Sequence, residues 1–160
     1  MSFHIRRKDR EITDPQLLKR ILKTANYITI ALSMDNEPYL ISLTHGYDQE
    51  RNCIYFHCAP EGKKIVYLNS NPRIWGQAVI DYDVTSECAY SYASVHFSGN
   101  VSIIDELEEK QRAIETMVRQ LAANPESKLV KISREALSKT TFGRIDITYM
   151  TFKRHKKAKV

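Results

Sequence analysis

The chain has little of what several function classes require. Its 160 residues include three cysteines, Cys53, Cys58 and Cys88, an odd number with no Cys-x-x-Cys or Cys/His spacing. That pattern excludes a zinc ribbon and a disulfide framework, and free thiols fit a reducing cytoplasm. No run approaches the roughly 18 apolar residues of a membrane-spanning helix. Charges fill the first ten residues, where a secretory leader would be apolar, so a cytoplasmic protein is expected. The five glycines are scattered singly, which leaves no glycine-rich nucleotide loop. Without a repeat or a low-complexity linker, one domain over residues 1–160 is expected.

What is present is the composition of a packed protein. The chain is 42% apolar with nine Tyr and five Phe, enough to offset the entropy of ordering. A net charge of +5 favours an anionic partner such as a phosphate ester or a nucleic acid. The charge gathers at the ends, in Arg6, Arg7, Lys8 and Arg10 and in Lys153, Arg154, Lys156, Lys157 and Lys159. Such runs are solvated tails, and no aromatic residues interleave with them as stacking platforms, so nucleic-acid binding is not expected.

Thr13-Asp14-Pro15 supplies a capping oxygen and a proline for a first helical position, and Leu17, Leu18, Ile21, Leu22 and Ala25 recur on one face after it. Residues 27–33 alternate with the period of a strand, Asp35-Asn36 reads as a hairpin turn, and 39–47 reads as one returning strand. A polar turn at 48–52 leads into a third strand, 53–58, in the same antiparallel series. Pro60-Glu61-Gly62 breaks the pattern before a short helix at 63–68, which Asn71-Pro72 terminates. Residues 73–84 and 90–104 read as long strands, with Gly99 marking a bulge or a close backbone approach. An amphipathic helix over 105–123, a weaker one over 133–138 and a last strand over 142–152 complete the pattern. About six antiparallel strands with added helices predict an α+β fold whose sheet closes on itself as a barrel.

The segment from Ile54 to Lys64 carries the clearest chemistry. A strand runs into Gly62 and then into adjacent Lys63 and Lys64 at a helix start, where unpaired amides and two ammonium groups suit a phosphate. The same pattern also describes two merely exposed charges. His45, His57 and His96 sit singly within strands, without a spaced carboxylate or cysteine, and read as hydrogen-bonded strand histidines rather than metal ligands. Cys58 reads as a structural thiol, and Ser42, Thr44 and Ser94 as polar residues of a sheet face. No nucleophile, acid and base come together in the sequence as a catalytic set.

In order and spacing these pieces resemble the pyridoxamine 5′-phosphate oxidase-related flavoproteins, in the branch named for nitroimidazole-resistance proteins. The likeness runs through Arg6-Arg7-Lys8-Asp9-Arg10-Glu11-Ile12, the 38–47 strand, the segment 55–64 with Asn71-Pro72, Tyr92-Ala93-Ser94-Val95 before Gly99, and Glu108-Glu109-Lys110. The resemblance implies an FMN-binding split β-barrel that forms a homodimer, with FMN at each end of the interface. It implies flavin contacts at Ser42, Leu43, Thr44 and His45, at His57 and Cys58, and at Ser94, with Lys63 and Lys64 on the phosphate. The implied activity is hydride or electron transfer between NAD(P)H and a small molecule, a nitroimidazole among the candidates. The other class is a flavin- or haem-binding module without turnover, with His45, His57 or His96 as iron ligands. The oxidase's arginine-rich carboxyl-terminal substrate motif is missing from 145–152, and the strand before Thr44 lacks its arginine, so vitamin B6 oxidation is not expected.

Overall fold

The computed structural model describes residues 8–11, 14–84 and 90–155; Cys88, Arg6, Arg7, Lys156, Lys157 and Lys159 lie outside them. Helix α1 (Pro15–Thr24) starts as its sequence dictates: the Asp14 carboxylate accepts the Gln16 amide at 2.9 Å and proline fills the first turn. Its apolar face buries Ile21 and Leu22 completely. Strands β1 (Ile28–Met34) and β2 (Glu37–Leu43) form a hairpin across Asp35 and Asn36, whose φ values of 50° and 64° are left-handed. Two consecutive left-handed residues match the right-handed twist of the flanking strands, and Asp and Asn tolerate them better than most residues.

β3 (Gly46–Asp48) and β4 (Cys53–Cys58) follow, then helix α2 (Lys63–Ser70) and the long strands β5 (Arg73–Val84) and β6 (Tyr90–Ile104). Helices α3 (Leu107–Leu121), α4 (Pro125–Leu129) and α5 (Arg134–Lys139) precede the last strand, β7 (Thr141–Arg154). The strands form one antiparallel sheet in the order β2-β1-β5-β6-β7-β4-β3.

That order corrects two expectations from the sequence. The run over 39–47 is not one strand: it breaks at Thr44-His45, so that β2 is one edge of the sheet and β3 the other. The strand at 53–58 therefore lies beside the edge far from β2, between β7 and β3, and the sheet has seven strands where about six are expected. Leu43 and Gly46 are three residues apart, which holds the two edges within about 11 Å at that corner. β2 and β3 do not pair, so the sheet curls toward a barrel but remains open. Beside β1 and β2, α2 inserts Tyr67 and Leu68 into the core.

Two apolar clusters hold the structure. The inner one joins Ile21, Leu22, Ile28, Ile30, Ile54, Phe56, Val95, Phe97 and Ile145, each worth roughly 1.5–3 kcal/mol when buried. The second lies on the outer face of β4 and β7, where Ala113 and Met117 of α3 cover Cys53, Tyr55 and Phe142. Gly46 lets α3 approach this closely, because a Cβ there would stand 2.6 Å from the Met117 amide nitrogen. At Gly99 the β6/β7 register shifts and the Asp146 carbonyl occupies the space a side chain would need, which is the bulge and close approach that the sequence predicts. Among the described residues, no helix is long and apolar enough to cross a membrane.

Candidate functional site

The start of α2 lacks the groups that usually stabilise a helix N-terminus. Its N-cap is Gly62, with φ 117° and no side chain to cap the helix. The first helical bonds run to the Gly62 carbonyl from Ile65 at 2.9 Å and Val66 at 3.2 Å, so the amides before them have no intrahelical acceptor. The first turn holds no acidic residue and carries Lys63 and Lys64 instead. An ammonium at this positive end of the helix dipole costs about 0.3–1 kcal/mol. Helix α1 is built the opposite way, with Asp14 at its start and Lys23 in its last turn.

The two lysines diverge across the opening. The Lys63 ammonium lies 4.6 Å from the ring centroid of Tyr39 on β2 and 5.4 Å from that of Tyr67, the rings being 5.2 Å apart and tilted by 59°. The Lys64 ammonium reaches toward β4, 5.8 Å from the Phe56 ring. Cys58 lies on this side, half-buried; burial raises its thiol pKa and the Lys64 charge lowers it in part. His57 points outward and is exposed, its ring edge-on to Phe142 at 6.4 Å. The structure thus brings Lys63, Lys64 and Cys58 together at one end of the split, while His57, next to Cys58 in the chain, faces Phe142 on the other side of β4. Tyr39 and Tyr67 escape a reading of the sequence. Tyr67 follows Lys63 by four residues, the spacing of one helix face, but no local signal marks Tyr39.

Toward the other end of β2, Ser42 and Thr44 are exposed, and the Ser42 hydroxyl lies 3.1 Å from that of Thr29. Leu43 faces the core, so only its backbone is available at the sheet edge. His45 is fully buried at the β2/β3 corner, where its Nε2 lies 2.8 Å from the Leu22 carbonyl and 3.2 Å from the Gln120 amide nitrogen. Burial lowers its pKa, against the opposing effect of the Leu22 bond. His45 ties α1, α3 and the corner together. Ser94 lies on β6, three strands from β2 and about 14 Å across the sheet, its hydroxyl donating to the Lys153 carbonyl at 3.3 Å. Ser94 is thus on neither of the strands, β2 and β4, that the lysines reach. His96 sits on β6, apart from His45 and His57, and no group of three or more potential metal ligands occurs among the described residues.

The outer face of β2, β1, β5 and β6 exposes apolar side chains. Pairing puts Leu40, Ala31, Trp75, Ser98 and Tyr149 in one row and Ser42, Thr29, Gln77, His96 and Thr151 in the next. Leu40 is 66% exposed, Trp75 49% and Val79 37%, although all three lie on sheet strands. Trp75 meets Tyr149 edge-to-face at 6.0 Å.

A cavity of about 950 Å³ lies elsewhere, between α1, β3 and α3, and none of the residues expected at the site lines it. Three of its charges are paired with one another: Arg112 donates to Asp48 at 2.6 Å and to Glu50 at 2.9 Å. Burial raises the Asp48 pKa, but Arg112 and the amides of Arg51 and Glu50 outweigh it and leave the carboxyl below its usual range.

An antiparallel sheet curled round the inner cluster and open between its two edge strands, with a lysine-bearing helix start at the opening, defines a split barrel. The model of the pyridoxamine 5′-phosphate oxidase family matches residues 14–154, and the chain belongs to that family. No curated protein matches the sequence. Among solved structures, a candidate 5-nitroimidazole antibiotic resistance protein from Bacteroides thetaiotaomicron is 24% identical with a TM-score of 0.75, over 89% of this chain and 85% of that one. The flavocytochrome Anf3 from Azotobacter vinelandii is 15% identical with a TM-score of 0.77, over 98% and 75% of the two chains. An FAD and heme binding protein from Mycobacterium smegmatis is 16% identical with a TM-score of 0.77, over 94% and 76%. These likenesses establish a common fold.

Proposed function

We propose that the chain is a cytoplasmic FMN-binding oxidoreductase that works as a homodimer. The observation that carries this reading is the start of α2, where free amides, a left-handed glycine and two ammonium groups opposed to the helix dipole stand beside an edge strand. A ribityl phosphate takes charge and amide donors together. Strand rise separates Ser42 from Tyr39 by about 10 Å and Leu43 by about 14 Å, which suits an elongated nucleotide. Its phosphate rests on Lys63 and Lys64 and its ring on residues 42–44, oriented by the hydroxyls of Ser42 and Thr44 and the Leu43 backbone. His57 and Cys58 flank it at the end of β4, and His45 holds the corner from within.

The exposed row of Leu40 and Trp75, with Val79, supports a second copy packed on this face. A second copy also supplies a Ser94, which lies three strands from β2 within one chain. Bound FMN supplies hydride and electron transfer. The chain's own residues bind it, orient it and cover it from water, and such a site needs no acid, base or nucleophile from the protein. NAD(P)H is the proposed donor and a small molecule the acceptor, and the likeness to the Bacteroides protein makes a nitroimidazole the first to assay. The haem reading is weaker, because His45 already faces Leu22 and Gln120 and the other two histidines lie on different strands.

The test is the absorption spectrum of the purified protein, followed by fluorescence titration with FMN. Flavin bands and at least tenfold weaker binding by Lys63→Ala/Lys64→Ala are expected, as for lost charge-assisted contacts. A Soret band alone, or an unchanged affinity in the variant, overturns the reading. Reduction by NADH or NADPH, then reoxidation by nitro compounds, tests the turnover.

A further inference from the structure

We infer that Tyr39 and Tyr67 are positioning residues that hold the Lys63 ammonium for the flavin phosphate and so set the preference for FMN over riboflavin. This rests on the proposed flavin reading and adds two residues and a selectivity to it.

Lys63 lies over both rings, within the roughly 6 Å at which a cation is attracted by an aromatic face. Neither ring is free to turn away. Tyr67 is 4% exposed and Tyr39 is half-buried, one fixed in α2 and the other in β2. The far end of α2 is tied down as well, because the Asn71 side chain donates to the Ser33 hydroxyl at 3.1 Å and accepts the Arg73 amide at 3.1 Å. The gap between helix and strand is therefore fixed by the fold rather than by the lysine.

The manner of holding matters for the chemistry. Arg112, Arg119, Lys139 and Arg144 are held by carboxylates, which take up both their charge and their hydrogen-bond donors. A ring face orients an ammonium but consumes neither its net charge nor an N–H, so Lys63 keeps both for an anion. A lysine ordered in advance also loses less freedom when the anion arrives, and that difference appears as affinity. Riboflavin, which has no phosphate, gains nothing from the arrangement.

The experiment titrates FMN and riboflavin separately into the full-length protein and into Tyr39→Leu, Tyr39→Phe, Lys63→Ala and the Tyr39→Leu/Lys63→Ala pair. Tyr39→Leu should weaken FMN about 2- to 5-fold, the size of one such contact, and leave riboflavin unchanged. Tyr39→Phe keeps the ring face and should restore the wild-type ratio. The double variant should be no weaker for FMN than Lys63→Ala alone. Riboflavin affinity serves as the check on folding, since a merely structural role for Tyr39 would weaken both ligands together. Equal loss of both ligands, an unchanged FMN affinity in Tyr39→Leu, or additive losses in the pair overturns the inference. If Lys63→Ala lowers the FMN-to-riboflavin ratio while Tyr39→Leu does not, this inference alone falls. If Lys63→Ala leaves the ratio unchanged, the phosphate reading of α2 falls with it.

Discussion

Replacing Lys64 by glutamine should move the free and the flavin-loaded protein in opposite directions. In the free protein, the ammonium sits in the first turn of α2 with no acidic neighbour in that turn. Removing it relieves about 0.3–1 kcal/mol of unfavourable interaction with the helix dipole. The loss of its ring contact subtracts little, because 5.8 Å from the Phe56 centroid is near the limit of attraction. At roughly 2–4 °C per kcal/mol for a chain of this size, the free variant should melt about 1–4 °C higher than wild type. In the loaded protein a charge-assisted contact is lost, and a tenfold weaker Kd corresponds to about 1.4 kcal/mol. With FMN at 100 times the wild-type Kd, ligand stabilisation falls from about 2.7 to about 1.4 kcal/mol, so the flavin-induced rise in Tm should halve. Melting curves with and without FMN at that one concentration measure both quantities. An equal flavin-induced shift in the two proteins, or a free variant that melts below wild type, refutes the reasoning.

Three further outcomes are expected. Trp75→Glu places a charge in the exposed row of the open sheet face, and should convert a dimer to a monomer in analytical ultracentrifugation with weaker FMN binding; a flavin-loaded wild type that sediments as a monomer would sink the shared site. Burial, only partly opposed by the Leu22 bond, holds the His45 pKa below 6.5, so the folded state binds fewer protons than the unfolded one. Stability is then full above about pH 6.5 and declines as pH falls toward the folded pKa. His45→Gln should flatten that decline in urea midpoints. His96, whose pKa burial and the Lys153 charge also lower, should keep the remainder; an unchanged slope would contradict the assignment. Asp48 contributes stability that is present above its ordinary pKa of 3.8 and lost as pH falls through its lower folded value. Asp48→Asn should therefore be less stable than wild type at neutral pH and have less to lose in acid, as circular dichroism at a series of pH values would reveal.

The sequence by itself determined whatever is decided within a few residues. Asp14-Pro15 starts α1, the alternation of Ile28, Ile30 and Leu32 sets the inward face of β1, Asp35-Asn36 turns the hairpin, and Gly62 followed by two lysines opens α2. β5 and β6 run over the residues their pattern predicts, and Gly99 lies where the register of β6 against β7 shifts. The short helix α4 carries no buried residue and hence no apolar stripe, which is why it escapes such a reading. Tertiary structure decided which strands are neighbours. The apolar pattern over 39–47 continues through Thr44-His45 although the chain there passes from one sheet edge to the other, because alternation records which face a residue takes and not which strand it pairs with. The role of His45 depends on Leu22 and Gln120, and the pose of Lys63 depends on a ring from β2. These contacts join residues far apart in the chain, and only the folded packing brings them within reach.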